Sequence, residues 1–389
     1  MSEEFIGLSV PNLKGNELKY VTNAVETEWV STAGPYVEEF EKKIAEYVGV
    51  PKAVSCQNGT SGLHMSLLLM GVTREDAVIV PTLTFIAAVN PTKYIGAEPV
   101  FMDCDDSLCM DPAKLKAFCE NECDFTDGKL IDRATGRHVK AMVVVHVFGN
   151  MADMESILPI AKKYNIKVVE DATEALGTHY TEGQFAGKYA GTMGDIGVYS
   201  FNGNKIITTG GGGMIVSQDE ELLNHAKHLT TQAKADMANF IHDEIGYNYR
   251  MTNLQAALGL AQLEQLESFI EVKTRNYKLY KEAIDKIDGL HVQDFRPGIR
   301  SNYWFYSVVF EEDETGRDKL IQELKDHKKQ SRPIWGLISD QLPYEGARTY
   351  EIEKATWYWK RVVNVPCSTN LSAEDCNRVI DVIKAFMTR

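Results

Sequence analysis

The sequence lacks any apolar run near the ~20 residues that a membrane-spanning helix needs, so no such span is expected. Its opening, Met1-Ser-Glu-Glu-Phe5, has no basic cluster followed by an apolar stretch. No secretion signal is therefore expected, and the cytoplasm is the expected location. Positive charge is in deficit: 41 Lys and Arg face 55 Asp and Glu, a net charge of −14. Nucleic acid and acidic membrane are thereby disfavoured as partners, because both repel a net anion. A phosphorylated small molecule stays open, since it needs only local cations and backbone amides. Cysteine is sparse, with seven residues at 56, 104, 109, 119, 123, 367 and 376. Cys119 and Cys123 can share a helix face, but no second pair or nearby histidine completes a zinc set. No metal site is expected, and the cysteines are expected to be free thiols in a reducing compartment. There is no dinucleotide fingerprint, and Gly187-Lys188 lacks the spacing and the Ser/Thr of a P-loop. Repeats and low-complexity linkers are absent.

What is present fits a two-part α/β chain. The length of 389 residues at 44% hydrophobic content suits one large domain and one smaller domain. Ala77–Pro81, Pro99–Met102 and Met142–His146 are short continuous apolar runs, as expected of strands buried on both faces. Helical patterns separate them, as over Tyr36–Tyr47, Leu63–Met70 and Asp153–Tyr164. The expected fold is a largely parallel sheet, with ligands beyond the carboxyl ends of its strands. Residues 105–140 interrupt the rhythm with a helical piece, Pro112–Cys119, and a polar section, 127–136, whose Asp-Gly and Thr-Gly pairs suggest a β-hairpin. This section reads as a surface excursion. A long helical pattern over 252–287 reads as a bridge out of a large domain, 1–251. Beyond it lies a small α+β domain, 288–389, with a strand over Tyr303–Phe310 and helices over Asp318–His327 and Ser372–Met387.

Several residues sit where chemistry is expected. Asn58-Gly-Thr-Ser-Gly62 opens a helix after a strand, where it makes either a phosphate cradle or an ordinary helix cap. Asp171 ends the apolar strand Val168-Val-Glu-Asp171, as either a helix cap or a partner for a cationic ring nitrogen. Glu174 lies one turn on, near such a ring or in solvent. Phe85 stacks on a flat cofactor or packs in the core. His146 ends a strand and has at most a supporting role. Lys205 lies between the run ending at Ser200-Phe201 and the glycines 210–213, which let backbone approach a ligand closely. It is either a surface lysine or a reactive one. A lysine and an aspartate so placed are what a pyridoxal phosphate (PLP) enzyme needs: the amine forms a Schiff base, and the carboxylate keeps the pyridine nitrogen protonated.

Together these segments resemble the DegT/StrS family of PLP-dependent nucleotide-sugar aminotransferases. The resemblance rests on Trp29-Val-Ser-Thr-Ala-Gly34, Gly59-Thr60, Phe85, Glu170-Asp-Ala-Thr-Glu174, Ser200-Phe-Asn-Gly-Asn-Lys205, Thr208-Thr-Gly-Gly-Gly-Gly213 and Gly246-Tyr-Asn-Tyr-Arg250, in that order. It implies the fold-type I PLP architecture and a homodimer with shared active sites. It implies Lys205 as the Schiff-base lysine, Asp171 at the ring nitrogen, Glu174 beside the ring hydroxyl and Phe85 on the ring face. Gly59, Thr60, Ser61 and Ser200 would form the phosphate cup, with Asn248 donated by the other subunit. Thr32 and Arg332 would face the sugar nucleotide. The implied reaction moves the amine of L-glutamate, through pyridoxamine phosphate, to C4 of a UDP- or GDP-linked 4-keto-6-deoxy (N-acetyl)hexosamine. The 105–140 excursion and Ser331–Trp335 look most like the branch leading to legionaminic acid or bacillosamine-type sugars. A PLP- or pyridoxamine-dependent sugar dehydratase and a non-catalytic regulatory protein on the same fold are the alternatives. Pyridoxamine-using dehydratases of this type carry histidine at the lysine position, so Lys205 argues for transamination.

Overall fold

The computed structural model describes residues 4–236, 238–312 and 314–388. The apolar runs form the interior of a central sheet. Val78, Ile79, Met142 and Val143 are all fully buried, as strands covered on both faces must be. Its main path is Lys52–Cys56, Gly213–Ser217, Ile196–Ser200, Lys167–Asp171, His138–Val145, Asp76–Pro81, Glu98–Met102 and Arg348–Tyr350. Only Gly213–Ser217 runs antiparallel to its neighbours; the other pairings on this path are parallel. Cys56 pairs with Gly213 and Gly213 with Ser200, while Asp171 pairs with both Val198 and Val145. The carboxyl ends of four parallel strands are thus brought level along one edge of the sheet. The expected mostly parallel α/β fold is present.

Three local expectations change. The section read as a surface excursion is part of the sheet. Strands Cys123–Thr126 and Lys129–Asp132 form a hairpin around Asp127 (φ 51°) and Gly128 (φ 73°). Two successive positive φ angles suit the twist of a tight hairpin. Ile131 then pairs with His138, and Leu130 and Asp132 are fully buried. The single bridge over 252–287 is two helices, Asn253–Leu263 and Leu266–Ile284. The first packs closely on Pro35–Val48, where a Cβ on Gly259 would meet Phe40 at 2.7 Å. The strand expected over 303–310 begins only at Tyr306, because Tyr303 takes φ 49° and stacks on Tyr277 at 4.6 Å.

Beyond residue 288 a second sheet runs Leu290–Val292, Tyr306–Phe310, Val362–Val365, Arg332–Pro333, all antiparallel. Helices Gly316–Asp326 and Ala373–Met387 accompany it. The spans 1–251, 252–287 and 288–389 are our proposed division of the chain, and several segments cross it, among them Ile299–Arg300, which pairs with His179–Tyr180. Arg348–Tyr350 joins the edge of the large sheet, and Ile6 exchanges backbone hydrogen bonds with Lys328 and Gln330 at 3.0 and 2.9 Å. All seven cysteines are free and buried. Among the described residues, no helix is long and apolar enough to cross a membrane.

Candidate active site

A cavity of about 550 Å³ opens at the level carboxyl ends of the strands. Gly59, Thr60, Phe85, Asp171, Glu174, Ser200, Lys205 and Arg332 all line it. One end is built from the start of helix Gly59–Leu69. The first N–H groups of a helix have no intrahelical acceptor, so this end attracts an anion. Gly59 is glycine for a packing reason: a Cβ there would stand 3.0 Å from Ser200 Cβ and 3.1 Å from Thr173 Cγ2. Asn58 caps the helix, its Oδ1 accepting from both the N–H and the hydroxyl of Ser61 at 2.8 Å. Ser61 is therefore occupied within the cap and is not among the residues that line the cavity. Gly59 and Thr60 remain as donors, with the Ser200 hydroxyl beside them.

The deeper part holds charge. Lys205 Nζ lies 3.5 Å from Glu174 Oε1, with side-chain exposures of 12% and 4%. The Phe148 N–H donates to the other Glu174 oxygen at 2.8 Å. Burial pushes the Glu174 carboxyl up to about 7 against the opposing effect of Lys205. Asp171 is 4% exposed, accepts from the Thr173 N–H at 3.0 Å, and has no ion pair within 4 Å among the described residues. Burial raises its pKa, opposed by its hydrogen bonds to Thr173 and by Lys205 and His146. A buried carboxylate without a cation is a site that a cationic ring nitrogen completes. Phe85, 55% exposed, presents an aromatic ring to the same cavity. An anion-binding helix end, a free aromatic face, an unpaired buried acid and a sheltered lysine together fit a phosphorylated, flat, cationic aldehyde.

The sequence model of the DegT/DnrJ/EryC1/StrS aminotransferase family matches residues 11–384. The chain belongs to this family. Its aminotransferases are PLP-dependent. The chain is 37% identical to a GDP-perosamine synthase of Escherichia coli O157:H7 over 385 residues, covering 98% of this chain and 99% of the relative. It is also 37% identical to a GDP-perosamine synthase of Caulobacter vibrioides over 379 residues, 96% of each. A crystal structure of a DegT DnrJ EryC1 StrS aminotransferase from Brucella abortus is similar with a TM-score of 0.86 at 29% identity, covering 96% of each chain. The fold-type I architecture and an aminotransferase activity follow from this membership.

Within this family member the cavity does not gather every residue singled out. Thr32 and Asn248 lie outside the lining of this chain's cavity. Asn248 bridges to Thr231 and accepts from Arg250 Nε at 3.1 Å. His146 also stays out. Its Nε2 lies 2.9 Å from Glu170, and its Nδ1 accepts from the Ala152 N–H at 3.1 Å. Glu170 in turn accepts from the N–H groups of Gly191, Met193 and Gly194, so this pair fixes the 191–194 loop. Sequence reasoning missed Trp304, whose ring centroid lies 4.2 Å from Lys205 Nζ. The run around it carried only a strand signal.

The buried Glu174 has a measurable consequence. A carboxyl whose native pKa is raised keeps its proton longer in the folded state than in the unfolded chain. Stability then falls as pH rises from about 4.5 to about 7. Glu174→Gln removes that proton equilibrium. Urea unfolding of the cofactor-free proteins should show the variant gaining on the wild type across this window, by on the order of 3 kcal/mol at most. A pH-independent difference would show that folding does not raise the Glu174 pKa.

Proposed function

We propose that the chain transfers the amine of L-glutamate to C4 of a nucleotide-linked 4-keto-6-deoxy sugar, in surface-polysaccharide biosynthesis in the cytoplasm. The observation that carries this reading is the meeting of Lys205, Glu174 and Asp171 in one cavity with the Gly59-Thr60 helix start. The 37% identity to two proteins named GDP-perosamine synthase favours the GDP-linked substrate over the UDP-linked one. Free buried cysteines suit a reducing compartment.

PLP, when bound, supplies an electron sink that makes the C–H bond beside the amine nitrogen acidic. In this reading Gly59 and Thr60 hold the phosphate through N–H groups and a hydroxyl, helped by Ser200. Asp171 holds the proton on the ring nitrogen, and Phe85 covers the ring face. Lys205 takes a proton from one carbon and returns it to another, as general base and then general acid. Glu174 orients the Lys205 amine. The aromatic wall of Trp304, Phe305 and Trp335, backed by Phe148 with its ring 4.7 Å from that of Trp335, keeps water from this exchange. The net change is glutamate plus keto sugar to 2-oxoglutarate plus amino sugar, so no external oxidant or reductant is needed.

Arg332 brings an exposed guanidinium from the second sheet to the cavity, with no ion pair among the described residues. We assign it to the sugar nucleotide's diphosphate, which a guanidinium can grip with two hydrogen bonds. The protein acts as a homodimer in this reading. Asn248 then serves the neighbouring protomer's phosphate cup, and Thr32 faces the sugar nucleotide. The test is a screen of GDP- and UDP-linked 4-keto-6-deoxy sugars with glutamate, with NMR of the product. Amine at C4 of a GDP-linked product is expected; no transfer to either nucleotide series would end the reading. Arg332→Ala should raise KM for the sugar nucleotide about ten- to hundredfold with kcat little changed. An unchanged KM would remove Arg332 from the substrate site.

A further inference from the structure

Trp304 is tied to both halves of the charged pair, although it comes from beyond residue 288. Its indole Nε1–H donates to the Asn204 carbonyl at 2.8 Å, one residue before Lys205. Its backbone N–H donates to Asn302 Oδ1 at 2.9 Å. The Asn302 amide then donates to the carbonyls of Glu174 and Leu176, both at 2.9 Å. The Trp304 carbonyl accepts from the buried Lys273 Nζ at 2.9 Å, and that nitrogen also reaches the Cys367 carbonyl at 2.6 Å. The ring stacks on Phe305 with centroids 4.0 Å apart and planes 18° apart. With its backbone bonded on both sides and its ring held by the Nε1–H bond and the Phe305 stack, Trp304 has little rotamer freedom, and at 3% exposure it has little room to move. What it presents to the cavity is an aromatic face, with Lys205 Nζ 4.2 Å from the ring centroid. Indole is the most favourable aromatic partner for an ammonium.

We propose that Trp304 is a positioning residue for the transamination, holding the Lys205 side chain, in the protonated form that returns the proton, between its ring face and Glu174 while its N–H fixes the turn that carries the lysine. This rests on reading Lys205 as the residue that moves the proton. The consequence is kinetic. Between the two halves of the reaction the Lys205 side chain is released, and a four-carbon stem has many rotamers. A fixed π face and a carboxylate on two sides select the rotamer that keeps the amine at the reacting carbon. Losing that selection lowers kcat and leaves substrate binding intact.

The test uses Trp304→Phe and Trp304→Leu in the full chain, and tryptophan analogues of increasing fluorination placed at position 304 alone. Fluorination withdraws charge from the ring face and barely changes its shape, so it separates positioning from folding. The leucine variant should lose about two- to thirtyfold in kcat, from the strength of one ammonium–indole contact. The phenylalanine variant should lose less, and the fluorinated series should fall stepwise, with both KM values constant. The rate at which apoprotein captures PLP, followed by absorbance, should fall in the same order. Borohydride treatment of the holoprotein followed by peptide mapping supplies the control. If wild-type labelling misses the Lys205 peptide, the underlying assignment of Lys205 has failed. If that peptide is labelled but the fluorinated series leaves kcat and capture unchanged, or moves KM instead, Lys205 stands and the role given to Trp304 is overturned.

Discussion

Lys205→Ala should fold normally and lose about 10²- to 10⁴-fold or more in turnover, the usual contribution of one positioned proton-transfer group. Folding should survive because the change removes a cation from a carboxyl that burial already biases toward its neutral form. The lost interaction is a 3.5 Å contact with Glu174 and an aromatic face, both of which tolerate an apolar neighbour. Lys205→Arg sharpens the comparison. It restores positive charge beside Glu174, but a guanidinium does not release its proton near neutral pH. It should therefore be as inactive as the alanine variant. Steady-state assays with glutamate and the keto sugar nucleotide measure this, and circular dichroism checks the fold. Normal turnover in either variant would remove Lys205 from the chemistry.

Asp171→Asn should produce the second large loss, of about ten- to a thousandfold in kcat. The variant keeps the shape of the side chain and an acceptor for the Thr173 N–H, and loses only the charge. An opposite charge at ion-pair range shifts a pKa by roughly 1–3 units, or about 1.4–4 kcal/mol, which sets that range. Cofactor affinity, read by absorbance titration of the apoprotein, should weaken together with kcat. Stability of the apoprotein should not fall, because burial already raises the Asp171 pKa and the neutral amide avoids the cost of a buried charge. Full activity of the Asp171→Asn variant would show that the ring nitrogen is served by another group.

The chemistry was legible in the chain wherever it was local. Asp171 ends a run of apolar residues, Lys205 precedes four glycines, and Gly59-Thr60 follows a strand. Each of these is a short pattern whose geometry neighbouring residues impose, through strand burial or helix initiation. The cavity gathers them because level strand ends in a parallel sheet lie side by side. Ser61 shows what a local reading leaves open. A serine at a helix start can cap or donate outward, and the choice depends on the Asn58 rotamer, which brings Oδ1 to 2.8 Å from the Ser61 hydroxyl. The 127–136 hairpin gave its turns away through Asp-Gly and Thr-Gly, but nothing local revealed that Ile131 would pair with His138.

By itself, then, the order of residues determined the alternation of strands and helices, the lysine–aspartate pair, the helix start that attracts an anion, and the resemblance to an aminotransferase family. Tertiary structure alone decided that Arg348–Tyr350 closes the edge of the large sheet, that Phe148 binds Glu174, and that Trp304 faces Lys205. A three-residue strand is too short to carry a periodicity, and a side chain reaching a partner about a hundred positions away leaves no mark on its own neighbours. Such contacts follow from how separate segments of the chain pack together, which no local window encodes.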